Sequence, residues 1–290
     1  MTSRAAALLF VLAAPGCTLF FLGSGFTDGD GDGSPPQGDA AAEGAAAIEA
    51  SPDDATTADD APVDAPPAHA YVAAVMADAP ASYWRLEEPA GNILADEMGR
   101  RPLTIIHPSR VQRGQKGALS GASITLNGNT ELRVGGEIDL SPDKTFTLEA
   151  WVRPTSSGDD YRRLFSKITI GGGGPLDGTY AWLNAGRGVV GFERWRERAV
   201  VDGLYWDTRL PADRFTHLVI VYDGVRSKMY ADAMVVATAG GAPEPAGNPD
   251  ATISWGFDFE GGLDELAIYD APLTADRVKA HFDAAKLTPP

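Results

Sequence analysis

Phe259-Glu260-Gly261-Gly262-Leu263-Asp264-Glu265-Leu266-Ala267-Ile268-Tyr269-Asp270 runs directly into Ala271-Pro272-Leu273-Thr274-Ala275-Asp276-Arg277-Val278. The first run reads as the last strand of a β-sandwich. The second reads as the turn and first residues of a closing helix. Thr274 is the expected N-cap, because its hydroxyl can accept an otherwise unpaired backbone N–H. Leu273 before it and Val278 four residues after it form a hydrophobic staple. Asp276 falls in the first turn, where the helix dipole favours a negative charge. Val278, Phe282 and Ala285 make the stripe that faces the core.

Working outward, the apolar segments are short and alternate, as strands do. Thr145-Phe146-Thr147-Leu148-Glu149-Ala150-Trp151-Val152-Arg153 puts Phe146, Leu148, Ala150 and Val152 on one face. Thr147, Glu149, Trp151 and Arg153 fall on the other. Phe215 to Tyr222 is a second strand, apolar on both faces toward its end. Met229-Tyr230 and Met234-Val235-Val236-Ala237 flank a hairpin at Ala231-Asp232-Ala233. Gly171 to Gly174 and Ala239 to Pro249 read as loops. Near the start of this body, Tyr71, Val72, Val75 and Met76 recur at helical spacing, and Ala79-Pro80 ends that helix. The expected fold is all-β: an antiparallel two-sheet jelly-roll sandwich with a short N-terminal helix and a short C-terminal helix.

Tyr83-Trp84-Arg85-Leu86-Glu87-Glu88, Phe146 to Pro154, Phe215 to Gly224 and Gly261 to Val278 occur in an order and spacing that resemble a laminin-G-like jelly-roll domain. This is the bacterial extracellular type, within the concanavalin A-like lectin and glucanase superfamily. The resemblance covers nearly all of residues 71–290. It implies a domain that binds rather than catalyses, with a carbohydrate or an envelope protein as partner; the alternative is a non-binding structural or adhesion module of an envelope assembly. It also implies a structural calcium, for which Asp264 and Asp96 are the candidate ligands. The family places Asp-Gly at the hairpin. Here Asp232-Ala233 predicts a turn of another type, since Ala resists positive φ.

Glucanases of this superfamily set two carboxylates across the scissile bond. The nearest match is Glu137-Ile138-Asp139, but the second Glu is missing and Pro142 interrupts the strand. No Gly-x-Ser-x-Gly elbow and no phosphate loop occurs. The four histidines, His69, His107, His217 and His281, lack metal-ligand spacing and read as packed or hydrogen-bonded groups. Phe192-Glu193-Arg194-Trp195-Arg196-Glu197-Arg198 is the one dense Arg/Trp cluster, with Tyr205-Trp206 soon after. In a strand, Trp195 shares a face with Glu193 and Glu197, and the three Arg residues share the other. Trp195 and Trp206 are the expected ligand-face aromatics, since an indole can stack on the C–H face of a sugar.

Residues 27–70 hold 11 of the 40 acidic residues and no Lys or Arg, so most of the net charge of −16 belongs to that stretch. With almost no large apolar side chains it reads as a disordered acidic tether. Asp28-Gly29-Asp30-Gly31-Asp32-Gly33 opens like a calcium loop, but Pro35-Pro36 break it and no helix flanks it. Neither tether nor body carries the basic patch that nucleic acid requires. Cys17 is the single cysteine, which excludes an intrachain disulfide framework. It follows Arg4, the apolar run Ala5 to Ala14, and Pro15-Gly16. Residues 1–26 therefore read as a signal peptide or membrane anchor. A lipobox with Cys17 as the lipidation site, an uncleaved span and a plain secretory signal all fit. Each puts the body outside the cytoplasm. The first two anchor it to a membrane, at the outer membrane or the cell surface.

Overall fold

The computed structural model describes residues 69–141, 143–155, 160–169, 177–239, 247 and 250–287. The anchor, Cys17, the tether as far as residue 68, and the run Gly171 to Gly174 lie outside the described residues. His69 and Ala70, read from sequence as the end of the tether, belong to the body. His69 caps helix α1 (Ala70–Ala77), its Nδ1 accepting the Tyr71 N–H at 3.2 Å. No helix among the described residues is long and apolar enough to cross a membrane.

Sixteen strands follow in chain order before the closing helix. They are β1 (Ser82–Trp84), β2 (Ile93–Leu94), β3 (Leu103–Ile106), β4 (Val111–Lys116), β5 (Ala122–Asn127), β6 (Glu131–Val134), β7 (Phe146–Pro154) and β8 (Arg162–Thr169). Then come β9 (Asp177–Asn184), β10 (Val189–Arg196), β11 (Ala199–Asp207), β12 (Thr216–Tyr222), β13 (Ser227–Ala231), β14 (Met234–Thr238), β15 (Ser254–Trp255) and β16 (Glu260–Tyr269). The closing helix is α2 (Ala275–Ala284), and the Thr274 hydroxyl accepts the Arg277 N–H as expected. The strands form two antiparallel eight-stranded sheets. One runs β14-β13-β12-β7-β16-β5-β4, with β1 added on β16; the other runs β11-β10-β9-β8-β15-β6-β3-β2. The fold is the jelly-roll sandwich that the alternation predicts.

The main core fills the space between the sheets. Phe146, Leu148, Ala150 and Val152 of β7 meet Phe165, Phe192, Leu204 and Trp255 there. The other face of the first sheet is not solvated either. Tyr71 and Val75 of α1 and Val278 of α2 pack over Trp151, Val219, Ala267 and Tyr269 in a second cluster. Arg277 of α2 holds Asp78, its Nε lying 2.9 Å from Oδ2, so the two helices are also tied to each other.

Under those helices Glu149 is fully buried. Its Oε1 accepts from the Tyr71 hydroxyl at 2.8 Å and lies 2.7 Å from His217 Nε2; its Oε2 accepts from the Tyr269 hydroxyl at 2.8 Å. Both oxygens are 3.1 Å from His281 Nδ1, and His281 Nε2 reaches Asp78 at 2.8 Å. One carboxylate therefore joins α1, α2 and three strands. Burial alone would raise its pKa, but the charge of His281 and hydrogen bonds from His217 and His281 outweigh that and hold it well below the carboxylate range. For His281, burial is likewise outweighed by Glu149 and Asp78, and its pKa is raised.

The paired acids of the last strand mark a seam. The first half of β16 pairs with β5 and the second half with β1, and a bulge against β7 falls between Asp264 and Ala267, at Glu265-Leu266. Glu265 takes φ 48°, which turns both acids into the gap where one partner strand ends and the other begins. Asp264 Oδ2 accepts the Ala118 N–H at 2.8 Å. Glu265 accepts the Tyr83 hydroxyl and lies 3.5 Å from Arg85 Nε. Burial is the main reason both carboxyl groups are pushed up, Glu265 to about 7. The hairpin corrects the sequence expectation. Asp232 and Ala233 both have positive φ, at 49° and 67°, as in a type I′ turn. Asp232 supports it by accepting the His217 N–H at 3.0 Å and pairing with Arg214 at 2.9 Å.

Candidate functional site on the open face of the second sheet

Both helices lie on the first sheet, so among the described residues the outer face of the second sheet has no helical cover. Alternation along β8 to β11 sends Phe165, Ala181, Leu183, Phe192 and Leu204 inward. Their neighbours face out. Cross-strand register then lines up Arg163, Trp182, Gly191 and Tyr205 in one row. Ser166, Tyr180, Glu193 and Gly203 form the next.

The two glycines make room for aromatic rings. A Cβ on Gly191 would come under 3.0 Å from the Trp182 indole, so that ring lies across the glycine. A Cβ on Gly203 would be 3.1 Å from the Tyr205 ring. Tyr161 packs edge-on to Trp182 with centroids 4.7 Å apart, and Tyr205 is 6.3 Å from it on the other side. Tyr161 and Tyr205 are more than half exposed. Trp182 itself is only 5% exposed, and its Nε1–H has no hydrogen-bond partner among the described residues.

Glu193 anchors the platform. It accepts from Tyr180 at 2.5 Å, Trp195 Nε1 at 2.9 Å and Tyr205 at 2.8 Å. Three neutral donors orient one carboxylate, which in turn fixes three rings. Burial, followed by Glu193 itself, raises both tyrosine pKa values, so these hydroxyls stay protonated donors. Beyond Arg163 the face continues into a cleft of about 320 Å³ lined by Ile106, His107, Glu131, Arg133, Phe257 and Asp258. The exposed Tyr161 and Tyr205 rings, supported by buried Trp182, offer faces for the C–H groups of a ligand and hydrogen-bonding edges for its hydroxyls.

The structure separates the two tryptophans expected here. Trp195 lies half-buried on the open face, bonded to Glu193. Trp206 points the other way and packs against the main core, in register with inward Val190. Adjacent residues of a strand face opposite sides, so Tyr205 takes the place expected of Trp206. Arg194 is likewise not part of a solvated face. It is fully buried between the sheets, its guanidinium 3.8 Å from the Tyr222 ring centre.

Asp96 does not fit a calcium ligand. It accepts the backbone N–H groups of Tyr83, Met98, Arg100 and Arg101 at 2.8–3.2 Å, and donor hydrogens aimed at both oxygens oppose a cation. Asp264 keeps one buried oxygen, Oδ1, without a partner. Among the described residues no group of three or more His, Cys, Asp or Glu is placed to hold a metal ion. Glu137 and Asp139 are outside any strand. They line a separate cleft with Lys144 and Asp270, and Asp139 accepts the Ser141 N–H at 2.9 Å.

The chain belongs to the concanavalin A-like lectin/glucanases superfamily, whose family model matches residues 126–279. None of the curated proteins matches it. Among solved structures it is similar to the binding domain of Paraclostridial Mosquitocidal Protein 1, at TM-score 0.54 and 16% identity, over 70% of this chain and 52% of that one. It is also similar to the botulinum neurotoxin serotype D ligand-binding domain in complex with N-acetylneuraminic acid, at TM-score 0.56 and 12% identity, over 72% and 52%. A mutant Trypanosoma rangeli sialidase matches at TM-score 0.50 and 13% identity, over 71% of this chain and 33% of that one. The chain spans about half the length of the first two, and these likenesses concern the fold.

Proposed function

We propose that this protein is a membrane-tethered, extracytoplasmic binding domain that recognises carbohydrate in the cell envelope through the open face of the second sheet. The observation that carries the reading is the Trp182 platform, in which a buried indole laid across Gly191 supports the exposed rings of Tyr161 and Tyr205, and Glu193 holds the Tyr205 hydroxyl. Binding rather than hydrolysis is the reading, because the carboxylate at the platform already accepts three hydrogen bonds from ring donors and stands without a second carboxylate in the same row. The neurotoxin domain solved with N-acetylneuraminic acid supports a carbohydrate ligand by analogy of fold. A protein ligand is the second reading, favoured by exposed Met234 and Val235 on the edge strand β14.

A screen of the full chain against arrayed glycans and envelope polysaccharides tests the first reading. A hit is expected, and Tyr205→Ala is expected to weaken it about 30-fold, the loss of one aromatic anchor at a binding surface. Unchanged affinity of the Tyr205 variant would move the site elsewhere. The tether reading rests on residues 1–26. Labelled palmitate is expected to enter the wild-type chain and not Cys17→Ala. Equal labelling of both would remove the lipidation site.

A further inference from the structure

Arg163 is a cation of the open face that has no hydrogen-bond or ion-pair partner among the described residues. It stands at the end of the aromatic row, in register with Trp182, and its own backbone N–H bonds the Phe257 carbonyl at 3.2 Å. That bond brings the side chains together, and the guanidinium lies 4.5 Å from the Phe257 ring centre. Stacking uses the flat face of a guanidinium and leaves its in-plane N–H donors free. Among the described residues the Arg163 side chain has no hydrogen bond and no ion pair.

The carboxylates around it are already committed. Glu131 is held by Arg133 at 2.7 Å. Asp258 is held by Arg162 at 3.1 Å and by the Asn129 N–H at 2.8 Å. Glu193 has its three neutral donors. Arg163 is also partly withdrawn from water, and that burial lowers its pKa, although it remains a cation. A desolvated charge without a counter-ion is costly, and a ligand that supplies one recovers the cost. Phe257 is at once the floor under Arg163 and a wall of the 320 Å³ cleft. Arg163 thus stands between the Trp182 platform and an open space of sugar size.

We infer that Arg163 is a specificity-determining residue that takes the carboxylate of an acidic sugar whose ring or neighbour rests on the exposed Tyr161 and Tyr205 rings of the Trp182 platform. The planar fork of Arg matches a carboxylate with two parallel N–H···O bonds. This inference rests on the carbohydrate reading of the same face and narrows it to saccharides bearing a carboxylate.

The probe is a printed set of oligosaccharides in which each carboxylate-bearing member is matched by its carboxyl-reduced, neutral counterpart. The full chain is expected to bind the acidic member of a pair about tenfold tighter or more, the worth of a charge-assisted hydrogen bond. Arg163→Gln is expected to bring the two members to equal affinity while leaving the neutral one unchanged. Arg163→Lys keeps the charge and loses the fork, so it is expected to retain part of the preference. Equal binding of both members by the wild type overturns the role of Arg163 and leaves the platform standing. So does an Arg163→Gln variant that weakens both members alike. Binding of no member by the wild type overturns the carbohydrate reading, and this inference with it.

Discussion

Glu149→Ala is expected to lower the stability of the domain by about 3–5 kcal/mol, the usual loss when one partner is removed from a buried ionic network. The substitution strands four groups at once: the Tyr71 and Tyr269 hydroxyls and the His217 and His281 rings. None can turn to water, because both helices cover them. Glu149→Gln keeps the shape and some acceptors and is expected to cost less. Urea unfolding of the full chain, followed by Trp fluorescence, gives both values. A loss below about 1 kcal/mol for the Ala variant would mean that the network contributes little net stability. The same network sets a pH signature. The Glu149 pKa is depressed, so its contribution is complete above the ordinary carboxylate value of 4.5 and fades as pH falls toward the folded value. The His281 pKa is raised, so its contribution is complete below the ordinary imidazole value of 6.5 and fades as pH rises through the folded value. Stability from this pair is therefore greatest between about pH 4.5 and 6.5 and declines toward neutral and alkaline pH. The Glu149→Gln variant should lose the acid limb and keep only the part of the His281 limb that Asp78 supplies.

Gly261→Ala is expected to be nearly as damaging, at about 3 kcal/mol, the sum of backbone strain and overpacking. Gly261 has φ 150°, and a Cβ there would come under 3.0 Å from the Arg153 carbonyl and 2.8 Å from the Pro154 Cα. Those are backbone atoms of the neighbouring strand and cannot swing aside. Gly262→Ala should cost less, because its Cβ would meet the far end of the Phe215 ring at 2.8 Å, and a side chain can move. Thermal melts of the two single variants check the order. A Gly262 variant less stable than the Gly261 variant would contradict the account of the strand packing. Gly261 thus lets β16 lie tightly on β7, and Gly262 leaves room for the Phe215 ring, just before the seam at Asp264-Glu265.

Much of this was legible in the residues. The two-residue alternation of Phe146 to Val152 fixed which side chains share a face, and the Thr274 cap with its staple fixed the closing helix. Both are local signals, carried by neighbours within one strand or one turn. Glu149 was placed correctly beside Thr147 and Trp151. What covers that face was not readable there, because its partner His281 lies 132 residues further on. Trp182 had a usable signal, since inward Ala181 and Leu183 send it outward. Trp206 had one too, two residues after inward Leu204, and preference for an indole over a phenol pointed to the wrong face.

The Phe259 to Asp270 run shows the division most clearly. By itself the sequence determined that this is a strand with two acids, followed by a capped helix, in a jelly-roll chain. Only the tertiary structure decided what the acids do. Strand pairing is made between distant segments, and β16 has β5 beside its first half and β1 beside its second. The gap between those partners is where Asp264 and Glu265 are buried, and burial sets their charge. The same long-range packing left the second sheet uncovered by helices and brought Arg163, Trp182 and Tyr205 into one row, because side chains on separate strands become neighbours only once register is fixed.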